Sequence, residues 1–175
     1  MDLKNYIRSI QDYPKKGILF RDITTLIENP KAFNYTIDKI IEISKKIEFN
    51  KVSAIESRGF IFASTVSYLT NKPLILLRKK DKLPAERYSV DFKLEYGDAT
   101  IEVHKNSIDK NDNVLVIDDL IATGGTAEAA AKLIEISGGK VAGFIFIINL
   151  FDLPGNDLLR KKSYFTESLI KFPGH

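Results

Sequence analysis

Cysteine is missing from the chain altogether, which rules out disulfide bridges and thiolate metal sites. Histidine is nearly as scarce: His104 and His175 are too few and too far apart in sequence to compose a zinc centre. Any metal the protein uses should therefore arrive with a substrate. No apolar run approaches membrane-spanning length, and Met1-Asp2-Leu3-Lys4-Asn5 lacks the apolar segment of a signal peptide, so a cytoplasmic protein with no membrane partner is expected. Net charge is low as well. At +3, and without a recognised DNA- or RNA-binding signature, it gives no reason to expect nucleic acid. No Gly-x-Gly-x-x-Gly follows a strand-like segment, and Gly139-Lys140 is followed by Val141 instead of Ser or Thr, which weakens a dinucleotide enzyme or a P-loop kinase as a reading. Internal repeats and low-complexity linkers are absent too.

What is present fits one soluble domain: 175 residues suffice for one substantial core, and 44% of them are hydrophobic. The most informative stretch runs from Val114 to Thr126. Val114-Leu115-Val116-Ile117 has the continuous apolar character of a strand buried on both faces, and the Ala-rich segment from Thr126 has that of a helix. The turn between them, at a strand's carboxyl end, is where open parallel sheets bind ligands. Gly124 and Gly125 permit a tight turn whose amides, with those of the helix N-terminus and the Thr123 and Thr126 hydroxyls, could surround a phosphate. Asp118 and Asp119 would repel that phosphate, so they should face hydroxyl groups or a hydrated cation. A ribose 5-phosphate meets both demands. An ordinary strand, turn and helix carrying a solvated acid pair is the competing explanation, but the joint pattern is much more specific than Gly-Gly alone.

Elsewhere, Leu3, Tyr6, Ile7 and Ile10 have helical spacing, and Pro14 and Gly17 end that segment. Ile18-Leu19-Phe20 reads as extended, running into Arg21-Asp22. Asn29-Pro30 should cap and open a helix, with Phe33, Ile37, Ile40, Ile41 and Ile47 on one face. Val52–Ile55 reads as a buried strand, Phe60–Leu69 as a helix and Pro73–Leu77 as a third strand ending in a basic cluster of Arg78, Lys79, Lys80, Lys82 and Arg87. Pro84 to Leu94 is polar and weakly patterned. Leu94 to Val103 looks like a hairpin with Gly97-Asp98 near its turn, the kind of charge-rich connection that can form a lid. A helix over Thr126–Ile136 stops at Gly138-Gly139, and Lys140–Leu150 is another apolar strand. Arg160-Lys161-Lys162 reads as a solvated face. The alternation of strand and helix predicts an α/β fold: an open, mostly parallel sheet flanked by helices on both faces.

Four segments together resemble the type I phosphoribosyltransferases. Val114 to Thr126 is similar to that family's phosphoribosyl diphosphate motif, and Leu-Ile-Ala-Thr-Gly-Gly-Thr within it is similar to the form carried by the adenine-specific members. Tyr13-Pro14-Lys15-Lys16-Gly17-Ile18-Leu19-Phe20-Arg21-Asp22-Ile23-Thr24, Glu56-Ser57-Arg58-Gly59-Phe60 and Leu94-Glu95-Tyr96-Gly97 fit the same members in order and spacing. The resemblance runs from near residue 13 to about residue 150. It implies a small hood over about residues 1–30, a core over about 31–150 and a C-terminal extension over about 151–175, all in one phosphoribosyltransferase domain.

The function implied is transfer of the phosphoribosyl group of 5-phospho-α-D-ribose 1-diphosphate to adenine, giving AMP and diphosphate in purine salvage. The implied enzyme is a cytoplasmic homodimer using Mg2+ that is carried by the substrate, with no metal ligand from protein side chains. By resemblance, Ala122, Thr123, Gly124, Gly125 and Thr126 anchor the 5-phosphate, and Asp118 and Asp119 hold the ribose hydroxyls. Glu56 and Ser57 form the diphosphate loop, where a non-proline cis peptide is expected. Arg58, Arg78, Lys79 and Lys82 meet the diphosphate, and in the family Arg78 and Lys82 can come from the neighbouring subunit. Leu19, Phe20, Arg21 and Ile121 form the adenine site, with the main chain of Leu19 and Arg21 reading the base. Glu95 is the acidic group for adenine's proton, with Tyr96 beside it, and Glu95 and Arg58 are the catalytic pair. Two other functions stay open, transfer to a different purine and nucleotide binding by a regulator of the same fold without catalysis.

Overall fold

A computed structural model describes residues 1–93 and 97–174. After a single 3-10 turn at Leu3–Tyr6, β1 (Arg8–Gln11) and β2 (Leu19–Asp22) pair as an antiparallel ribbon, with Ile10 opposite Phe20. The short α1 (Thr24–Ile27) leads to α2 (Pro30–Ser44). There follow β3 (Lys51–Ile55), α3 (Gly59–Thr70), β4 (Leu74–Lys79), β5 (Arg87–Lys93), β6 (Asp98–His104), β7 (Asn113–Ile121), α4 (Gly125–Ile136), β8 (Lys140–Leu150), α5 (Gly155–Lys161) and β9 (Thr166–Phe172). The main sheet has the order β5-β6-β4-β3-β7-β8-β9. Its five strands from β4 to β9 in that order are parallel, and β6 and β5 add an antiparallel edge.

The central position of β7 explains its composition. Val114, Leu115, Val116 and Ile117 are all fully buried, because alternate side chains enter two separate cores. Leu115 and Ile117 pack with Ile37 and Ile40 of α2 and Phe62 and Val66 of α3. Val114 and Val116 pack on the other side with Ala127, Ala130, Leu133 and Ile134 of α4. At about 1.5–3 kcal/mol for a fully buried large aliphatic side chain, this strand ties the two layers together. The start of α2 follows from its cap: Asn29 Oδ1 accepts from the Ala32 amide at 3.0 Å, and Pro30 occupies the first helical position.

Three elements differ from their expected form. The helix expected over Leu3–Ile10 is a 3-10 turn followed by β1; pairing with β2 and the Arg8–Asp22 ion pair at 2.5 Å override the local periodicity. Most of the polar connection over Pro84 to Leu94 is strand β5, which buries only Val90 fully and so lacks a long apolar run. It forms the first half of the hairpin, whose turn contains Gly97 with φ of 88°. Finally, β4 continues through Lys79, so the basic cluster begins on the strand itself. Residues after Leu150 give α5 and β9, the latter completing the sheet beside β8.

Candidate active site

Strands β3 and β7 are neighbours, but the chain leaves them in opposite directions, through α3 to β4 on one side and through α4 to β8 on the other. The crevice at their carboxyl ends is the topological switch point where such sheets hold ligands. A cavity of about 250 Å³ lies there, lined from β3 by Glu56, Ser57 and Arg58 and from β7 by Asp118, Asp119 and the turn Ala122-Thr123-Gly124, with Thr126. Gly124 has φ of 91°, a left-handed conformation that turns the strand directly into α4. The turn is braced from outside by a residue that motif reading missed. Gly155, at the start of α5, donates its amide to the Ala122 carbonyl at 2.9 Å. A Cβ there would lie 2.5 Å from that oxygen and 2.6 Å from the Gly124 nitrogen. The Pro154-Gly155 pair after the apolar run of β8 was the available signal.

Gly125 is tight for a different reason. A Cβ at Gly125 would meet the Lys93 carbonyl at 2.9 Å, so the turn abuts the end of β5. Valine at this position is expected to displace either the hairpin or the turn while leaving both cores intact. In thermal melts, ribose 5-phosphate should stabilise the native protein and leave Gly125→Val where it was. Equal stabilisation of both would mean that the turn is not the phosphate cradle.

Asp119 is buried and Asp118 half-buried at the cavity's inner edge, and the Asp119 amide donates to Asp118 Oδ1 at 2.9 Å. Burial, and next the neighbouring Asp119 charge, push the Asp118 carboxyl well above the ordinary carboxylate range. Burial also raises Asp119, against the opposing pull of Arg58. Arg58 Nε stands 2.9 Å from Asp119 Oδ2, yet that oxygen makes no hydrogen bond, so the pair is a charge contact with acceptor capacity left over. Hydroxyl donors would complete it.

The Glu56-Ser57 peptide is cis, as expected, and a second cis bond joins Tyr13 to Pro14. The Glu56 carboxylate is already engaged: Arg78 Nε donates to it at 3.2 Å and the Lys79 amide at 2.9 Å. Arg78 first, then the Lys79 amide, hold Glu56 below its ordinary value. Arg78 thus stands behind the loop, while Lys79 and Lys82 line neither this cavity nor the next. Arg78 and Lys82 instead border a groove with Leu74 and Leu76.

A second cavity, of about 570 Å³, lies under the β1–β2 ribbon. Gly17, Leu19, Phe20 and Arg21 form its roof, and Leu120, Leu150 and Leu153 its apolar floor. It is Leu120 that stands there; Ile121, expected as part of this wall, is buried in the α4-side core and lines the first cavity. The cause is the pleat, which sends consecutive strand residues to opposite faces. Arg58, Leu120, Ala122 and Thr123 line both cavities, so the two are contiguous. Arg58 also lies 5.3 Å from the Phe20 ring centroid, linking the acid pair to the roof. Glu95 and Tyr96 lie outside the described residues. Among the described residues no group of three or more acidic or histidine side chains could enclose a metal ion.

A crevice at the switch point of a mostly parallel sheet, with a glycine-bearing turn, an acid pair and an adjoining apolar slot, has the ligand-site architecture of an open α/β enzyme. Residues 23–173 match the phosphoribosyl transferase domain, and the chain belongs to that family. It is 69% identical over 175 residues, the whole of both chains, to an adenine phosphoribosyltransferase of Pelagibacter ubique. Among solved structures, the adenine phosphoribosyltransferase of Thermoanaerobacter pseudethanolicus matches with a TM-score of 0.92 at 43% identity, covering 98% of each chain. The Giardia lamblia enzyme complexed with 9-deazaadenine matches with a TM-score of 0.93 at 33% identity, covering 98% of this chain and 96% of that one.

Proposed function

We infer that this chain transfers the phosphoribosyl group of 5-phospho-α-D-ribose 1-diphosphate to adenine, giving AMP and diphosphate in purine salvage. The observation that carries this reading is the pair of contiguous cavities, one polar with a phosphate turn and one apolar, meeting at Arg58. The anomeric carbon gains oxocarbenium character as the bond to diphosphate breaks, so it must sit where the two cavities join. The turn Ala122 to Thr126 fixes the 5-phosphate through backbone amides and the two threonine hydroxyls. Asp118 and Asp119 accept from the ribose 2- and 3-hydroxyls, which hold the ring still and place negative charge beside a developing positive centre. Arg58 faces the departing oxygens from the other wall. Glu95 is assigned to adenine's proton by resemblance.

Magnesium fits this site as a passenger of the substrate. The acid pair offers hard oxygen donors but too few for a cage, and Mg2+ retains water and binds phosphates readily. When bound it would neutralise the leaving diphosphate; the chain's part is to hold the hydroxyls and phosphate around it.

A homodimer is the proposed assembly. Ile61, Tyr68 and Leu69 of α3 and Leu76 of β4 are exposed large apolar side chains, and the groove past Leu76 leads to Arg78 and Lys82. A second copy seated there would bring this Lys82 towards its neighbour's diphosphate. Lys82→Ala should therefore raise KM for phosphoribosyl diphosphate, or lower kcat, far more than it weakens AMP binding. Equal weakening of both ligands would instead mark a general electrostatic effect. No described helix is long and apolar enough to cross a membrane. The charged substrates do not cross a membrane unaided, and it is this that supports a cytoplasmic setting.

Formation of AMP with release of diphosphate from adenine and phosphoribosyl diphosphate tests the function directly. Turnover with hypoxanthine or guanine only would move the assignment to another purine. Binding without turnover of any purine would leave a nucleotide-binding regulator.

A further inference from the structure

Arg21 is a buried cation beside the apolar cavity, only 6% exposed, whose guanidinium makes its contacts elsewhere. Nη1 donates to Ser9 Oγ at 2.5 Å across the ribbon, where Ser9 is its register partner. Nη2 donates to the Pro173 carbonyl at 2.9 Å, and the guanidinium carbon lies 4.4 Å from the Phe172 ring centroid. Phe172 ends β9, and the next turn is closed by the Gly174 amide donating to Asp152 Oδ1 at 2.7 Å. Gly174 and Leu153 in turn line the cavity. The ribbon and the end of β9 thus meet at one side chain, and the turn after β8 is tied to them through Gly174.

We propose that Arg21 is a positioning residue that clamps the ribbon to the end of β9 through Ser9, Pro173 and Phe172. The clamp sets the spacing between the β2 main chain and the cavity floor, so base choice is governed in part from the C-terminal strand. Stability alone is a poor explanation for the arginine. A buried charge met by a hydroxyl, a carbonyl and a ring, with Nε unpaired and the pull of Asp152 smaller than the cost of burial, is costly to desolvate, and an apolar side chain of similar length would fill the space. What methionine cannot supply is a planar fork whose two donors fix direction as well as distance. The β2 strand needs that fixed direction because, among the described strands, it pairs with β1 alone.

This inference rests on adenine being the base, and its test separates the two. Arg21→Met, Arg21→Lys, Phe172→Leu and their combinations are assayed with adenine and hypoxanthine at varied phosphoribosyl diphosphate. Arg21→Met is expected to raise KM for adenine about tenfold and to narrow the preference for adenine over hypoxanthine about tenfold, the loss of roughly one directed hydrogen bond. KM for phosphoribosyl diphosphate should move less than about twofold. Arg21→Lys should recover part of the loss, and Phe172→Leu should shift the same two quantities in the same direction. Combined with Arg21→Met, Phe172→Leu should add little, because both break one unit. Lower kcat with unchanged KM and unchanged base preference would overturn the clamp and leave only a folding role. If Arg21→Met fails to fold, Phe172→Leu and Ser9→Ala carry the same readout, and an unaltered preference in both overturns the proposal. A wild-type protein that makes no AMP removes the adenine reading itself, whatever the variants do.

Discussion

Asp119→Asn is expected to lower kcat/KM for phosphoribosyl diphosphate by roughly one to two decades, the consequence of losing a charge-assisted hydrogen bond of about 1.5–3 kcal/mol. The melting temperature of the ligand-free protein should not fall with it. Asp118 and Asp119 are adjacent carboxylates at a buried strand end, and burial followed by mutual repulsion raises Asp118 well above its ordinary value. A folded carboxyl with a raised value holds its proton more tightly than the unfolded chain does. Stability therefore declines as pH rises from the ordinary carboxylate range through the raised folded value, as the pair is forced to ionise in a buried place. An amide at 119 relieves that repulsion. It also releases Arg58, whose side chain is 40% exposed and can be solvated, so losing this ion pair costs little. Activity and stability should thus part company, as expected where a site is built for ligand at some cost to the fold. Kinetics and thermal melts on the same preparation check both. Unchanged kcat/KM would sink the ribose assignment, and a lower melting temperature with proportionate loss of activity would reduce Asp119 to a partner for Arg58.

The parts of this molecule that were legible in the sequence are those whose physics is local. A run of four apolar residues can be satisfied on both faces only in mid-sheet, and Val114 to Ile117 is found there. Asn29-Pro30 states its own cap, and Thr-Gly-Gly-Thr its own turn. The rest depended on partners far along the chain. Leu3, Tyr6, Ile7 and Ile10 carry a helical spacing that pairing with β2 overrode. Strand β5 shows little hydrophobic signal because its partner β6 covers an edge and the core covers one face only. Which of Leu120 and Ile121 faces the hood depends on the pleat near the strand end, and an apolar pair does not declare that. Gly155 went unread because its role is to leave room for a turn about thirty residues earlier, a contact created only when α5 folds back. The cation cluster shows the same limit: its charge was visible, whereas the capture of Arg78 by Glu56 depends on the β3–β4 register.

Discrimination between purines should be the largest effect of all: adenine is expected to be preferred over hypoxanthine and guanine by roughly two to four decades in kcat/KM, because each of two mismatched buried groups costs about 1–3 kcal/mol. Adenine presents an N6 donor beside an N1 acceptor, and the oxopurines present an O6 acceptor beside an N1 donor. A main-chain carbonyl and amide in fixed positions match the first pattern and oppose the second. Strand β2 has such groups to offer, since among the described strands it pairs with β1 alone and its other edge is unpaired, and Leu19 and Arg21 line the cavity. Both terminal nitrogens of the Arg21 guanidinium are held by Ser9 and Pro173 and only Nε is unpaired, so the fork itself is turned away from the base and the backbone is left to make the distinction. Leu19, Phe20, Leu120, Leu150 and Leu153 supply an apolar enclosure that admits a purine plane and strengthens the penalty for any unpaired polar edge. Were these residues only core, the slot would accept any purine of the right thickness. Competition kinetics with the three bases at fixed phosphoribosyl diphosphate separate the possibilities. Comparable kcat/KM for adenine and either oxopurine would refute main-chain reading of adenine and leave phosphoribosyl transfer intact, because the acid pair and the phosphate turn contact the sugar and not the base.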